Sequence, residues 1–202
     1  DYELLQVDID FFESALEDLK RYKPIQYITG QAYFGSLTLK VSEGVLIPRP
    51  ETLELVNWAC DCAAKMPHEI NILEVGTGSG CIPISLSMAL PKAAITALDV
   101  SEKALKLAAE NALTHQREIA FVQADVLELN KLAHSFDMII SNPPYVREQE
   151  KVAMSKNVLD YEPEIALFVT DDNPLLFYRN IAQLAYGSLT EGGLLFFEIN
   201  EF

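Results

Sequence analysis

A doubly wound, mostly parallel α/β sheet is predicted for this chain by three features of its sequence. Short apolar runs alternate with segments of helical period from about Ile70 onward. The first of these runs ends in a glycine-rich turn, Gly76-Thr77-Gly78-Ser79-Gly80, and a helix-forming segment follows. A length of 202 residues, 50% hydrophobic and 22% charged, suits one large globular domain and excludes a disordered or fibrous chain. Strands separated by helices need crossover connections, and such strands pair in parallel.

The elements follow in order. Residues 8–22 have the pattern of an acidic amphipathic helix, with Ile9, Phe12, Leu16 and Leu19 on one side, and Pro24 ends it. Residues 34–41 alternate as a β-hairpin does, with Gly35-Ser36 or Glu43-Gly44 at turns. Pro48-Arg49-Pro50 cannot be regular structure, but Pro50 suits the first turn of a helix running to about Lys65. Residues 72–75 form the first strand of the sheet, and residues 81–90 a helix that tolerates Pro83 in its first turn.

Residues 95–99 form the second strand. Ser101 caps the next helix, in which Ala104, Leu105, Ala108, Ala109 and Ala112 recur at three and four. Residues 119–122 and 137–141 are the third and fourth strands. Asn173 and Pro174 are placed as cap and first position of a helix with Leu175, Tyr178, Ile181, Ala182, Ala185 and Leu189 on its apolar side. Gly192-Gly193 are expected to stop that helix, and residues 194–199 to form the fifth strand. A terminal apolar strand leaves an unpaired edge, so the natural protein is expected to continue beyond Phe202.

Composition narrows the function classes. No apolar stretch approaches the roughly 18–20 residues that cross a bilayer. The start, Asp1-Tyr2-Glu3-Leu4-Leu5, is acidic and lacks the basic and apolar regions of a secretory signal, so a cytoplasmic protein with no membrane partner is expected. Cys60, Cys62 and Cys81 make no disulfide framework, and Cys60-x-Cys62 has the wrong spacing for a zinc knuckle. His68, His115 and His134 are scattered, and no metal is expected. The formal charge of −15 repels a phosphate backbone and disfavours direct nucleic-acid binding.

The glycine turn is the first candidate site. Between a strand and a helix, glycines let the backbone approach a ligand and the helix N-terminus offers free amides. A dinucleotide fingerprint would need glycine where Cys81 stands. The spacing Gly76, Gly78, Gly80 is instead similar to the first motif of S-adenosyl-L-methionine-dependent methyltransferases. Asp99, at the end of the second strand, can accept hydrogen bonds from both ribose hydroxyls. Gln123-Ala124-Asp125-Val126 ends the third strand, where a polar side chain and a backbone amide can reach the adenine; Asp125 carries less weight, since it could equally be a cap.

The second candidate is Asn142-Pro143-Pro144-Tyr145, which follows the fourth strand directly. The prolines make it rigid. An amide or exocyclic amine is a poor nucleophile because its lone pair is delocalised. As it attacks a sulfonium methyl, positive charge develops on nitrogen. Asn142 Oδ1 and the Pro143 carbonyl can accept its two hydrogens and stabilise that charge, an oxyanion hole of reversed sign. Tyr145 can pack against the planar group. No metal, covalent intermediate or catalytic histidine is required.

Adenine-N6 DNA methyltransferases carry the same tetrapeptide. Further residues narrow the match: Pro24-Ile25-Gln26-Tyr27-Ile28-Thr29-Gly30, Gly44-Val45-Leu46-Ile47-Pro48-Arg49-Pro50-Glu51-Thr52, Tyr161-Glu162-Pro163 with Ala166-Leu167, and Glu198-Ile199. With these, the chain resembles bacterial release-factor glutamine methyltransferases from about Tyr22 to Ile199. The resemblance implies a Rossmann-like sheet of the class I methyltransferase type. It implies methyl transfer from S-adenosyl-L-methionine, leaving S-adenosyl-L-homocysteine, to the N5 amide of the glutamine in the Gly-Gly-Gln motif of peptide-chain release factors. The implied cofactor residues are Gly76, Thr77, Gly78, Ser79, Gly80, Asp99, Asp125, Val126 and Asn142. The implied substrate residues are Asn142, Pro143, Pro144 and Tyr145, with Asn142, Pro143 and Tyr145 catalytic and no metal.

The implied partner is a release factor, with the enzyme a monomer. The implied division is residues 1–22 as the end of an N-terminal helical domain, 23–69 as hairpin and linker helix, and 70–202 as a methyltransferase domain lacking its final strands. Residues 48–52 are expected near the cofactor, although Arg49 and Glu51 could equally be a structural ion pair. Glu74 stands where the family more often has aspartate. Two other readings share parts of the pattern: a methyltransferase of base amines, which predicts a basic face, and a non-catalytic nucleotide-binding module, which needs no Asn142-Pro143-Pro144-Tyr145. A nicotinamide dehydrogenase is disfavoured by Cys81 and the lack of a proton relay.

Overall fold

The computed structural model describes residues 5–200, so the acidic start and the last two residues of the chain lie outside it. The chain opens with α1 (Gln6–Lys20) and α2 (Ile25–Thr29), continues through the hairpin of β1 (Gln31–Phe34) and β2 (Leu37–Lys40), and enters α3 (Thr52–Ala63). Asp8 and Lys20 oppose the dipole of α1 at its two ends. None of its predicted apolar stripe is buried among the described residues, and Phe12 is 71% exposed. The sequence pattern misses α2, a single turn ended by left-handed Gly30.

Gly35-Ser36 is the hairpin turn, with Phe34 opposite Leu37. Glu43-Gly44 makes a separate turn, in which Val45 N–H donates to the Ser42 carbonyl. The hairpin begins three residues earlier than the alternation suggests. Its inward residues Phe34, Leu37 and Leu39 join the main core beside Leu55, Ile84 and Met138. Pro50 stands two residues ahead of α3 rather than inside it.

The sheet elements follow: β3 (Asn71–Val75), α4 (Cys81–Ala89), β4 (Ala94–Asp99), α5 (Glu102–Thr114), β5 (Ala120–Gln123) and β6 (Phe136–Ser141). After them come β7 (Val146–Arg147), α6 (Lys156–Leu159), β8 (Phe168–Val169), α7 (Leu176–Ser188) and β9 (Leu189–Phe197). The main sheet has the order β5-β4-β3-β6-β9, and every pairing is parallel. Residue alternation divides its core between two faces. Ile72, Met138 and Ile140 pack with α3 and α4, whereas Leu73, Val75 and Ile139 pack with Ile181 and Leu184 of α7. The strands are therefore apolar on both sides, as a sandwiched parallel sheet requires.

The order of strands reverses between β3 and β6. At such a switch point the two crossovers diverge to opposite faces, and a crevice opens beyond the carboxyl ends of those strands. The glycine turn follows β3 and the Asn142 loop follows β6, so the topology sets both candidate sites on one crevice.

Three local expectations are corrected. Helix α7 starts at Leu176, not Pro174, because Asn173 Oδ1 accepts from Arg179 at 2.9 Å instead of capping the first turn. Gly192-Gly193 do not end α7. They lie inside β9, where the register jumps from Phe136–Leu189 to Met138–Leu194, and Gly192 takes φ 78° in the resulting bulge. The fifth strand accordingly starts at Leu189 rather than 194. Residues 146–169 hold a small parallel pair, β7–β8, and short helical turns that no periodicity signalled. Among the described residues, no helix is long and apolar enough to cross a membrane.

Candidate active site

Gly76, Gly78 and Gly80 all have positive φ, but for two different reasons. A side-chain carbon added at Gly78 meets nothing within 4 Å, and one at Gly76 meets only the Asn142 carbonyl at 3.9 Å. These two positions keep a bare backbone cradle facing the crevice. At Gly80 a Cβ would press on Ala108 at 3.1 Å, so this glycine lets α5 approach. Gly80 does not line the crevice; Gly76, Thr77, Gly78 and Ser79 do.

Asp99 holds the cradle. Its Oδ2 accepts from Gly78 N–H at 2.9 Å and its Oδ1 from Ser101 N–H at 2.8 Å. Burial raises its carboxyl above the usual value against those hydrogen bonds. Each oxygen keeps a lone pair for a further donor. Asp125 also lines the crevice, but it accepts from Leu127 N–H and so caps its own turn. Val126 forms part of the wall beside it. Beneath the loop both oxygens of Glu74 are buried, and the nearby Thr77 hydroxyl only partly offsets that burial. Burial pushes the Glu74 carboxyl well above the ordinary carboxylate range.

The second loop is tied at both ends. Ser141 Oγ donates to the Val75 carbonyl at 2.7 Å, locking the end of β6 to that of β3. Asn142 Nδ2 donates to Thr52 Oγ1 at 3.1 Å, which leaves Asn142 Oδ1 free to accept from a ligand. Asn142, Pro143 and Pro144 line the crevice. Tyr145 is not among the residues lining the crevice, and its hydroxyl donates to Glu198 Oε1 at 3.2 Å. Burial, with the Glu198 charge adding to it, pushes the Tyr145 phenol up to about 12, so it stays a donor.

Sequence reasoning missed four supporting residues. Arg49 pairs not with Glu51 but with Glu162, at 2.7 Å. The Glu162 carboxylate is 1% exposed and also accepts from Ile47 N–H, joining the 47–49 segment to the 161–163 loop beside the crevice. Thr52 and Glu198 gave no signal beyond their place in matched segments. Asn111 did give one, being a polar residue among the alanines of the α5 face. It accepts from Lys40 N–H and donates to the Lys40 and Ser79 carbonyls, tying the hairpin to the glycine loop. Asn111→Leu is expected to destabilise the fold by about 1–3 kcal/mol, because the buried Ser79 carbonyl and the part-buried N–H and carbonyl of Lys40 lose their partner. An unchanged urea midpoint would contradict that role.

Residues 62–163 match the family model described as Methyltransferase small domain. A release factor glutamine methyltransferase of Flavobacterium psychrophilum is 48% identical over 204 residues, covering 100% of this chain and 72% of that protein. One from Bacteroides thetaiotaomicron is 47% identical over 190 residues, covering 94% of this chain and 67% of that protein.

This chain belongs to the release factor glutamine methyltransferase family.

Among solved structures, a ribosomal protein L11 methylase from Lactobacillus delbrueckii subsp. bulgaricus aligns with TM-score 0.50 and 20% identity, over 79% of this chain and 65% of that one. That likeness is one of fold. As a family member the chain is a methyltransferase by lineage, and its crevice lies where the order of the parallel strands changes direction.

Proposed function

We propose that the crevice binds S-adenosyl-L-methionine and that the protein methylates the side-chain amide of the glutamine in the Gly-Gly-Gln motif of release factors. One observation carries the reading: Asn142 Nδ2 is engaged by Thr52, so Oδ1 is presented as an acceptor beside the glycine cradle. Pro143 contributes a carbonyl and, lacking an N–H, no competing donor.

The residues present suit the cofactor. The open faces of Gly76 and Gly78 admit close backbone approach, Asp99 has lone pairs for ribose hydroxyls, and Val126 offers an apolar wall for a purine. Bound there, the cofactor supplies an electrophilic sulfonium methyl. Asn142 Oδ1 and the Pro143 carbonyl accept the two N–H groups of the substrate amide and turn its nitrogen toward the cradle. As positive charge grows on that nitrogen, both acceptors bind it more tightly than they bind the neutral amide. That difference lowers the barrier. The proton lost from nitrogen passes to solvent, since the nitrogen of a protonated amide is strongly acidic and needs no dedicated base.

The test is transfer of labelled methyl to a purified release factor, beside a factor with its Gly-Gly-Gln glutamine changed to alanine and beside duplex DNA. Label on the first alone is expected. Label on DNA alone would replace this reading with that of a base-amine methyltransferase.

A further inference from the structure

Glu198 lies one residue beyond β9 and is fixed along its backbone. Its N–H donates to the Ser141 carbonyl at 3.1 Å, level with the residue before Asn142. Its carbonyl accepts from the Tyr178 hydroxyl at 3.0 Å. The Tyr178 ring in turn meets Phe197 edge to face, with centroids 5.1 Å apart. The end of β9 is thus held in place independently of the Glu198 side chain.

The carboxylate reaches the other way. Oε1 accepts from the Tyr145 hydroxyl, while Oε2 is buried and has no hydrogen-bond partner among the described residues. A carboxylate oxygen removed from water without a hydrogen bond is costly. Mere stability would be served as well by an apolar residue at 198 and phenylalanine at 145. The arrangement gives Tyr145 something a phenylalanine lacks: an anchor at the far end of its ring. Pro144 fixes the near end through its φ.

We propose that Glu198 is a positioning residue for methyl transfer, acting through Tyr145. It holds the ring that ends the Asn142–Tyr145 loop in one orientation, so that the loop presents both acceptors to a planar amide together. The proposal rests on the function assigned above. Its chemistry is purely orientational: no proton moves between Glu198 and Tyr145. Misorientation of an acceptor set lowers turnover more than it lowers ground-state binding.

The experiment is a mutant cycle in the full chain. Tyr145→Phe and Glu198→Leu should each lower kcat about tenfold, with KM for the release factor changed by less than about threefold. The double variant should be no worse than either single one, because both break the same contact. Glu198→Gln, whose amide oxygen still accepts from the phenol, should recover most of the loss. S-adenosyl-L-homocysteine should bind all four variants as it binds the parent. Losses that multiply in the double variant, or a Glu198→Gln variant as slow as Glu198→Leu, would overturn the proposal.

A readout free of turnover separates its failure from failure of the assigned reaction. With fluorotyrosine incorporated, the Tyr145 fluorine resonance, assigned by its loss in Tyr145→Phe, should be a single sharp line that splits or broadens in Glu198→Leu. An unchanged line overturns the anchoring. A parent protein that shows the line yet methylates no release factor overturns the reaction instead. Should Glu198→Leu fail to fold, Tyr145→Phe and Glu198→Gln decide by the same comparison.

Discussion

Asn142→Ala is expected to cut turnover by on the order of 10²–10³ while leaving the fold and cofactor affinity nearly intact, the loss typical of removing one preorganised group that stabilises developing charge. The structure gives a reason for a loss confined to the chemical step. Asn142 is partly buried and its Nδ2 makes one contact, with Thr52, which a water can satisfy in the variant. The end of β6 is held separately by Ser141 on Val75. Stopped-flow or single-turnover methyl transfer with saturating cofactor reads the chemical step directly. Unchanged turnover would remove Asn142 from the mechanism and leave the Pro143 carbonyl as the sole acceptor there.

Asp99→Ala should fail in the opposite way, at binding. The carboxylate would lose its bonds to two ribose hydroxyls, and charge-assisted bonds of this kind contribute about 1.5–3 kcal/mol each. Each 1.4 kcal/mol is a factor of about ten, so the dissociation constant of S-adenosyl-L-homocysteine should rise by roughly 10²-fold or more. Part of that rise comes from the protein, because Gly78 and Ser101 N–H also lose their acceptor and the cradle loosens. Asp99→Asn keeps the size of the side chain but not both acceptors. One face of the asparagine amide is a donor and must turn away from either Gly78 N–H or Ser101 N–H, so this variant should also bind weakly. Titration calorimetry showing parent-like affinity for both variants would refute the ribose contact.

The sheet was legible because buried parallel strands have little choice of residue. The runs at 72–75, 95–99 and 137–141 are apolar on both faces, and each lies within a residue or so of the observed strand. The crevice was legible for the same reason: a glycine turn after one strand and a proline loop after another leave few topologies. Helix boundaries were less so. Asn173 satisfies every local rule for a cap, yet its oxygen goes to Arg179, a choice made by the folded loop. Gly192-Gly193 signal a helix stop and a strand bulge equally well. Only pairing with β6 decides, and Thr190 settles into the bulge by donating to Asp137 Oδ1.

The site divides along a similar line. Residues that must face a ligand carry distinctive types, glycine, asparagine and proline, at fixed spacing. Their supports do not. Glu162 reaches Arg49 across 113 residues, and Asn111 reaches Lys40 across 71. Nothing in the local pattern at either end points to the other. The exposed stripe of α1 shows the converse: amphipathicity announces a buried face without saying what buries it.

The most direct test of the central claim is to locate the methyl group. After incubation with S-adenosyl-L-methionine, peptides of a release factor should carry one added methyl, placed by fragmentation on the side-chain nitrogen of the Gly-Gly-Gln glutamine. It should be absent when the Asn142→Ala enzyme is used for the same short time. A methyl on any other residue, or none on the release factor while the protein still binds S-adenosyl-L-homocysteine, would contradict the account.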